Sequence, residues 1–469
     1  MRLCSIRPGR GSAFAFLLLL AISAPAAAQS GPWRQFESPE AAGYSAERLD
    51  AAFRFADSVG SAAVMVLQDG VVVAGWGDVE RKLGLHSVRK SLLSVLYGIA
   101  VDRGEIDLDA TLAELEIDDR GGLTPAERNA RLVELISARS GVYHPAAYAP
   151  SDQDRERPER GSHAPGTNWF YNNWDFNVAE SAFERLTGID AYAAFTDWIA
   201  EPLGMEDWRP TDGFEVLEPT KSIWPAHTYR MSTRDLARLG LLVEQRGRWE
   251  GRPIVSEAWI ERSTSPVSDL GEGRGYGYMW WTYAPSSLPD SYEFASRHAI
   301  ILGRGTGGQA LFVIPDADLV FVHRGDTDNG REVDGAHVWM LVERLLGARV
   351  GEPAEGAATV AFQPRPLPSA LEAPDPVALT SPGPDAIRPY LGRYEFGPGA
   401  VGEVFLYEGR AFLSVPGEGD GELFLRPDGT FTVRVVEGVT IRFDEEAAGE
   451  VRGLELTLGG NKMTATRIP

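Results

Sequence analysis

Ser87 and Lys90 stand three residues apart where Leu85-His86-Ser87-Val88-Arg89-Lys90-Ser91 runs into the apolar stretch Leu92-Leu93-Ser94-Val95-Leu96. A helix beginning near Ser87 brings residues three apart onto one face, so the hydroxyl and the amine can meet. Serine is a weak nucleophile until a neighbour takes its proton, and a lysine can do so only if burial or nearby cations lower its pKa. The chain has only four lysines, Lys82, Lys90, Lys221 and Lys462, and arginine everywhere else a basic side chain occurs. Of these four only Lys90 has a serine three residues before it. Taken alone, the pair reads equally as a capped core helix carrying a solvated lysine, so it needs partners to become a site.

Two further stretches offer partners. In Trp169-Phe170-Tyr171-Asn172-Asn173-Trp174, Tyr171 is a phenol able to shuttle a proton, with a pKa expected below its usual ~10 beside a cationic lysine. Asn173 offers an amide to donate to Lys90 or to a substrate carbonyl. The run Leu302-Gly303-Arg304-Gly305-Thr306-Gly307-Gly308-Gln309 is a glycine-rich entry into a strand hairpin, whose glycines allow a ligand close to the backbone. Packing aromatics, a turn asparagine and an ordinary hairpin remain the plain alternatives.

The elements that must position these residues follow from periodicity. Ser45 to Phe55 predicts a capped helix, and Ala62 to Leu67 with Val71 to Trp76 predicts a hairpin through Asp69-Gly70. The Ser87 helix runs to about Val101, ahead of Gly104. Further helices are expected at Leu108 to Asp118, Ala126 to Ala138, Val178 to Leu186, Tyr192 to Ile199, Ser232 to Gln245 and Val338 to Leu346. The charged segment Tyr143 to Gly166 reads as a solvated loop with a possible gating role. Tyr276 to Trp281 alternates like a strand, as core or as the wall of an apolar pocket, and strands are expected at Ala310 to Ile314 and Leu319 to Val322.

The expected organisation is a signal peptide over 1–28, a large domain over 29–349, a linker rich in Pro, Ala and Gly over 350–385, and a small β domain over 386–469. The leader is read from Arg2, Arg7 and Arg10, the apolar run Ala13 to Ile22, and Ala26-Ala27-Ala28, with cleavage after Ala28 and a periplasmic or extracellular destination. Cys4 is the chain's single cysteine, so the mature part has none for disulfides, thiol catalysis or Cys-ligated metal. No later run is apolar and long enough for a membrane span. A formal charge of −22 disfavours nucleic acid and anionic lipid. No phosphate loop and no His pair at metal-ligand spacing occur, so no cofactor is expected.

Ser87-Val88-Arg89-Lys90, Tyr171-Asn172-Asn173 and Gly305-Thr306-Gly307-Gly308-Gln309 occur in that order, accompanied by Ser140-Gly141, Pro165-Gly166, Glu201-Pro202-Leu203-Gly204-Met205 and Ser232-Thr233-Arg234-Asp235-Leu236-Ala237. The set resembles the serine β-lactamase and penicillin-binding-protein-like hydrolases, in particular the class C related esterase and amidase branch that includes 6-aminohexanoate-dimer hydrolases. The resemblance covers about Ser38 to Leu346, and Tyr390 to Ile468 is similar to the barrel-like domain often appended to such hydrolases. It implies an α+β fold: an antiparallel sheet flanked by helices with a helical subdomain, plus a small antiparallel all-β domain.

By residue, it implies Ser87 as nucleophile, Lys90 as the group assisting its deprotonation, Tyr171 as proton shuttle and Asn173 as the group orienting Lys90 or the substrate amide. The Ser87 N–H and one N–H near Gly305 to Gly307, with Thr306 between, would form the oxyanion hole. Small-molecule esters, amides or lactams are the implied substrates, with a β-lactamase or D-amino-acid peptidase activity as the alternative. Where penicillin-recognising members carry Lys-Thr-Gly, this chain has Gly303-Arg304-Gly305, so only Arg304 offers a charge.

Overall fold

In the computed structural model the described residues are 31–368, 378–434, 438–446, 450–458 and 460–469. The expected leader and Cys4 lie outside them. Ten strands form one large sheet: β1 Arg34–Phe36, β2 Ser61–Gln68, β3 Val71–Gly77, β4 Ser268–Asp269, β5 Arg274–Tyr276, β6 Trp281–Tyr283, β7 Ile300–Gly305, β8 Gln309–Ile314, β9 Leu319–Gly325 and β10 Thr359–Ala361. Their spatial order is β10-β1-β3-β2-β9-β8-β7-β6-β5-β4, antiparallel throughout except for β1 beside β3. The β2–β3 turn has Asp69 and Gly70 both at positive φ, the conformation in which an Asp-Gly hairpin matches strand twist.

Five helices matter for the site: α1 Ala46–Ser58, α2 Arg89–Asp102, α3 Asn173–Thr187, α4 Thr233–Glu244 and α5 Gly335–Ala348. Helices α1 and α5 cover one face with Leu49, Phe53, Leu341 and Leu345 packed on Val64, Phe312 and Phe321. Helices α2, α3 and α4 share the core on the other face. Gly240 lets α4 lie against the sheet, since a Cβ there would fall 2.6 Å from Val320 Cγ1. Ser45 and Ser232 cap α1 and α4 by accepting from Arg48 N and Asp235 N. Among the described residues no helix is long and apolar enough to cross a membrane.

The C-terminal part is a closed eight-stranded meander: β11 Gly392–Gly397, β12 Ala400–Tyr407, β13 Arg410–Val415, β14 Gly419–Leu425, β15 Phe431–Val433, β16 Thr440–Glu445, β17 Val451–Leu458 and β18 Asn461–Ile468. β18 pairs back onto β11 through Arg393 and Ile468, which leaves no open edge. The fold is therefore the expected α+β sheet and helices with a small antiparallel β unit. The first and last barrel strands lack a clear alternation and escape a reading by pattern.

Several local expectations fail for identifiable reasons. Leu108 to Asp118 is a set of turns, because its backbone pairs across the chain: Leu112 N donates to Ala130 O and Leu132 N to Ala110 O, in place of helical bonds. The same exchange shortens Ala126 to Ala138 to a 3-10 turn at Glu127–Asn129 and a helix at Leu132–Ile136. Tyr276 to Trp281 is not one strand but a hairpin turn joining β5 to β6, with Met279 at φ 64°. The segment Tyr143 to Gly166 contains a short helix, Ser151–Glu156. Within the stretch read as linker, β10 pairs with β1, and Phe362 covers Gly75 so closely that a Cβ there would lie 2.4 Å from its ring.

Candidate functional site

The chain enters α2 through a single 3-10 turn, His86–Val88. Side chains at i and i+3 eclipse in a 3-10 turn, which is tighter than an α-helix, and Ser87 and Lys90 straddle the change from one to the other. Lys90 Nζ lies 2.8 Å from Ser87 Oγ, in hydrogen-bond contact. Strand β7 comes this close to the start of the helix because its glycines face it: a Cβ on Gly303 would fall 2.9 Å from Ser91 Oγ, and one on Gly305 2.6 Å from Leu85 O. Gly307 and Gly308 likewise meet Thr327 and Val333. The glycine run thus serves protein packing on its Cβ side at every one of these positions, while the backbone from Gly305 to Gly308 lines a cleft.

Lys90 is 2% exposed. Burial drives its pKa well below the ordinary lysine value, and the neighbouring Arg89 pushes the same way, opposed by Glu180. The amine sits 4.9 Å from the ring centres of both Tyr171 and Phe176. Behind it, Arg89 Nη1 donates to Glu180 Oε2 at 2.7 Å and Nη2 to Asn177 Oδ1 at 2.9 Å, while Tyr229 OH donates to Glu180 Oε1 at 2.9 Å. A buried cation thus stands next to the lysine, with its own charge answered on the far side.

The Tyr171 hydroxyl lies near enough to Ser87 for the serine to lower its pKa, and its ring sits within a cage formed by Phe176, Tyr276 and Trp281. That cage moves its pKa up to about 12, against the opposing pull of the Ser87 hydrogen bond, Arg89 and Arg304. The expected lowering is therefore reversed. Burial among the rings disfavours a phenolate, and burial of Lys90 disfavours the charged amine that would stabilise one.

Asn173 begins α3, where Asn172 caps the helix by accepting from Trp174 N. Its amide Nδ2 donates to Tyr148 O at 2.6 Å, and its Oδ1 is buried without a partner among the described residues. Gln153, from the short helix in the charged loop, pins this whole segment. Its Nε2 donates to Tyr171 O at 2.5 Å, and its Oε1 accepts from Asn173 N at 3.1 Å. Nothing in the sequence pattern singles out Gln153. Asn173, Asn177 and Glu180 could have been found, as they form a polar stripe at helical spacing beside the apolar Trp174, Phe176, Val178 and Ala179.

Ser87 and Tyr171 open onto a cleft of about 920 Å³ whose wall includes Trp169, Trp281 and Trp339 and whose floor is the Arg304 to Gly308 backbone. Gly305, Thr306, Gly307 and Arg304 are thus brought to the nucleophile, while Lys90 and Asn173 lie behind it. Arg304 is exposed and, among the described residues, its side chain makes no hydrogen bond or ion pair. His86, just before the nucleophile, has positive φ, and its ring is held by Thr327 Oγ1 at 2.9 Å and Tyr148 OH at 2.9 Å. Burial takes its pKa down to about 4, so it is neutral at ordinary pH.

Residues 46–335, more than half of the chain, match the family model described as Beta-lactamase. The chain belongs to the beta-lactamase family. Membership assigns it to the serine hydrolases at the level of general activity. Solved structures similar to it include SurE, 19% identical over 90% of this chain and 99% of that one, TM-score 0.47. Another is the octameric penicillin-binding protein homologue from Pyrococcus abyssi, 16% identical over 89% and 99%, TM-score 0.48. A third is a putative 6-aminohexanoate-dimer hydrolase from Bacillus anthracis, 17% identical over 67% and 89%, TM-score 0.48. None of these three lends a residue role to this member of the beta-lactamase family.

Proposed function

We propose that this protein hydrolyses carboxylic esters or amides through an acyl-enzyme on Ser87. The observation that carries the reading is the convergence on the Ser87 hydroxyl of the buried Lys90 amine, 2.8 Å away, and the Tyr171 phenol, with Ser87 and Tyr171 facing the cleft. The neutral amine takes the serine proton as Oγ attacks the carbonyl carbon. Tyr171, kept protonated by its cage, lends its proton to the leaving alcohol or amine, and the proton held on Lys90 makes good the loss. Water then enters, gives up a proton along the same path and cleaves the acyl-serine bond. The Ser87 N–H and one N–H of the Gly305 to Gly307 turn receive the developing oxyanion, each contact worth about 3 kcal/mol in the transition state.

The aromatic wall of Trp169, Trp281 and Trp339 favours an apolar or aromatic acyl group over a charged one. With Gly303-Arg304-Gly305 where penicillin-recognising members carry Lys-Thr-Gly, and only the exposed Arg304 to offer a charge, lactams and D-amino-acid peptides come second. The reading includes export, supported by the basic, apolar and Ala-rich opening of the chain; N-terminal sequencing of secreted protein is expected to begin at Gln29, and an uncleaved cytoplasmic product would refute it. The enzymatic reading is tested with a fluorophosphonate probe. Wild-type protein is expected to be labelled on Ser87 and Ser87→Ala to be silent; equal labelling of both removes the nucleophile from this scheme.

A further inference from the structure

Tyr148 lies beneath the cleft and touches both arms of the site. Its OH is hydrogen-bonded to His86 Nδ1 at 2.9 Å, next to the nucleophile, and its carbonyl accepts from Asn173 Nδ2 at 2.6 Å, two residues beyond Tyr171. It does this from a left-handed backbone conformation, φ 57°, which a tyrosine adopts only when its surroundings hold it there. Part of that hold is Glu218, whose Oε1 accepts from Tyr148 N at 2.8 Å.

Glu218 in turn is fixed from the barrel side. It pairs with Lys221 at 2.6 Å, and Gly419, at the start of β14, lies so close that a Cβ there would fall 2.4 Å from Glu218 Oε2 and 3.2 Å from Lys221 Nζ. The adjoining Asp420 is buried and accepts from Thr220 N at 2.7 Å, between Glu218 and Lys221. Away from this loop the barrel is held to the same side of the large domain by Arg434, whose guanidinium lies 4.6 Å from the Phe214 ring centre and 4.4 Å from that of Phe424.

We propose that the C-terminal barrel is a positioning element for catalysis: Gly419 and Asp420 set Glu218, Glu218 sets Tyr148, and Tyr148 holds His86 and Asn173 on either side of Ser87, Lys90 and Tyr171. This rests on the acyl-enzyme reading above. Gly419 and Asp420 are positioning residues, since neither touches the cleft. A displacement of the order of an ångström in a catalytic group is enough to cost a large rate factor, so a loosened Tyr148 acts on kcat more than on KM.

The test uses the full chain, with kcat, KM, fluorophosphonate labelling rate and thermal midpoint measured for wild type, Asp420→Ala, Asp420→Asn, Gly419→Ala and Arg434→Ala. Asp420→Ala and Gly419→Ala are expected to lower kcat and labelling rate about tenfold with KM within about twofold. Asp420→Asn keeps an oxygen to accept from Thr220 N and is expected to restore most of the rate. Arg434→Ala is expected to lower the midpoint and leave kcat alone. Wild-type rates in Asp420→Ala and Gly419→Ala overturn the coupling, as does a loss that tracks the midpoint in all variants, Arg434→Ala included. If Gly419→Ala fails to fold, the Asp420 pair decides the matter. A wild-type protein that is not labelled at Ser87 overturns the parent reading instead.

Discussion

Behind α2 the hydrolase portion buries Arg89, Lys90, Asn177, Glu180 and Tyr229 in one connected group. The barrel interior is Tyr394, Val404, Leu423, Ile441 and Leu454 with similar side chains, and its buried polar residues, among those described, are Asp420, Thr430 and Thr432. Removing an ion from water costs several kcal/mol even after relaxation, and a buried pair is often no more stabilising than apolar residues of the same volume. The barrel is built on the cheaper plan. The large domain departs from that plan at several places, Asp235, Arg238 and Arg324 among them, but in the group behind α2 the charges adjoin the one lysine that touches a serine, so there the desolvation cost goes into lowering the base strength of that amine. The difference teaches that the buried charge group behind α2 has a use beyond packing, while the barrel interior is served by apolar packing.

The comparison breaks most sharply at Lys90. Lys90→Met keeps an unbranched apolar side chain of similar length but removes the base, and kcat/KM is expected to fall by about 10³-fold or more, within the usual range for general base catalysis. Lys90→Arg is expected to be as inactive, because a guanidinium cannot give up its proton. A Lys90→Met enzyme within tenfold of wild type would show that the buried charge group has no catalytic purpose. Tyr171→Phe keeps the cage and removes the hydroxyl; a loss of about 10² in kcat is expected, with the leaving group of higher pKa suffering more. Equal loss for p-nitrophenyl and alkyl leaving groups would take the phenol out of the proton path.

Much of this site was legible before any coordinates, because the information is local where chemistry is densest. Ser87 and Lys90 meet through spacing on one element, Asp69-Gly70 turns a hairpin by its own backbone preference, and Ser45 and Ser232 announce the helices they cap. The readings that failed depend on what lies opposite in space. Leu112 N is satisfied by Ala130 O, so a helical pattern yields to a cross-chain pairing. The Tyr171 pKa is set by burial against Phe176, five residues on, and against Tyr276 and Trp281, which come from one distant hairpin. The glycines at 303 and 305 were recognisable as sites of close approach, but the sequence could not say that Ser91 of α2 and Leu85 ahead of it make the approach on the Cβ side.

A smaller effect, on pH dependence, probes the charge group itself. Lys90 works as a base only when neutral, and its pKa is depressed, so activity rises with pH through that depressed value and the enzyme is active below the ordinary lysine range. Glu180 favours the charged lysine; Glu180→Gln is therefore expected to move the acid limb of kcat/KM to lower pH while lowering stability by about 3–5 kcal/mol, since Arg89 loses its partner. An acid limb unmoved in a folded Glu180→Gln protein would separate the ion pair from the base. The stability profile carries the same signature. Between the depressed value and ~10.4 the unfolded chain holds a proton on Lys90 that the folded chain does not, so the lysine's contribution grows with pH. Tyr171, moved up to about 12, acts in the other direction above ~10, where the unfolded phenol ionises first.

The smallest expected effect on activity comes from the apolar half of the comparison. Leu454 on β17 is 3% exposed, pairs in register with Phe443 and Ala465, and belongs to the barrel core. Leu454→Ala removes buried methyl groups and leaves a cavity, at a cost of about 2–5 kcal/mol. If the barrel interior contributes only packing, the thermal or denaturant midpoint of the barrel drops while kcat, measured well below that midpoint, stays within about twofold of wild type. The contrast with Asp420→Ala is then informative, because one substitution weakens the barrel from within and the other releases its grip on the Glu218 loop. A Leu454→Ala protein that is fully folded by circular dichroism at the assay temperature yet has lost most of its kcat would mean that softening anywhere in the barrel reaches Ser87. In that case the coupling between the two parts is a property of the whole barrel and not of the single contact at Gly419 and Asp420.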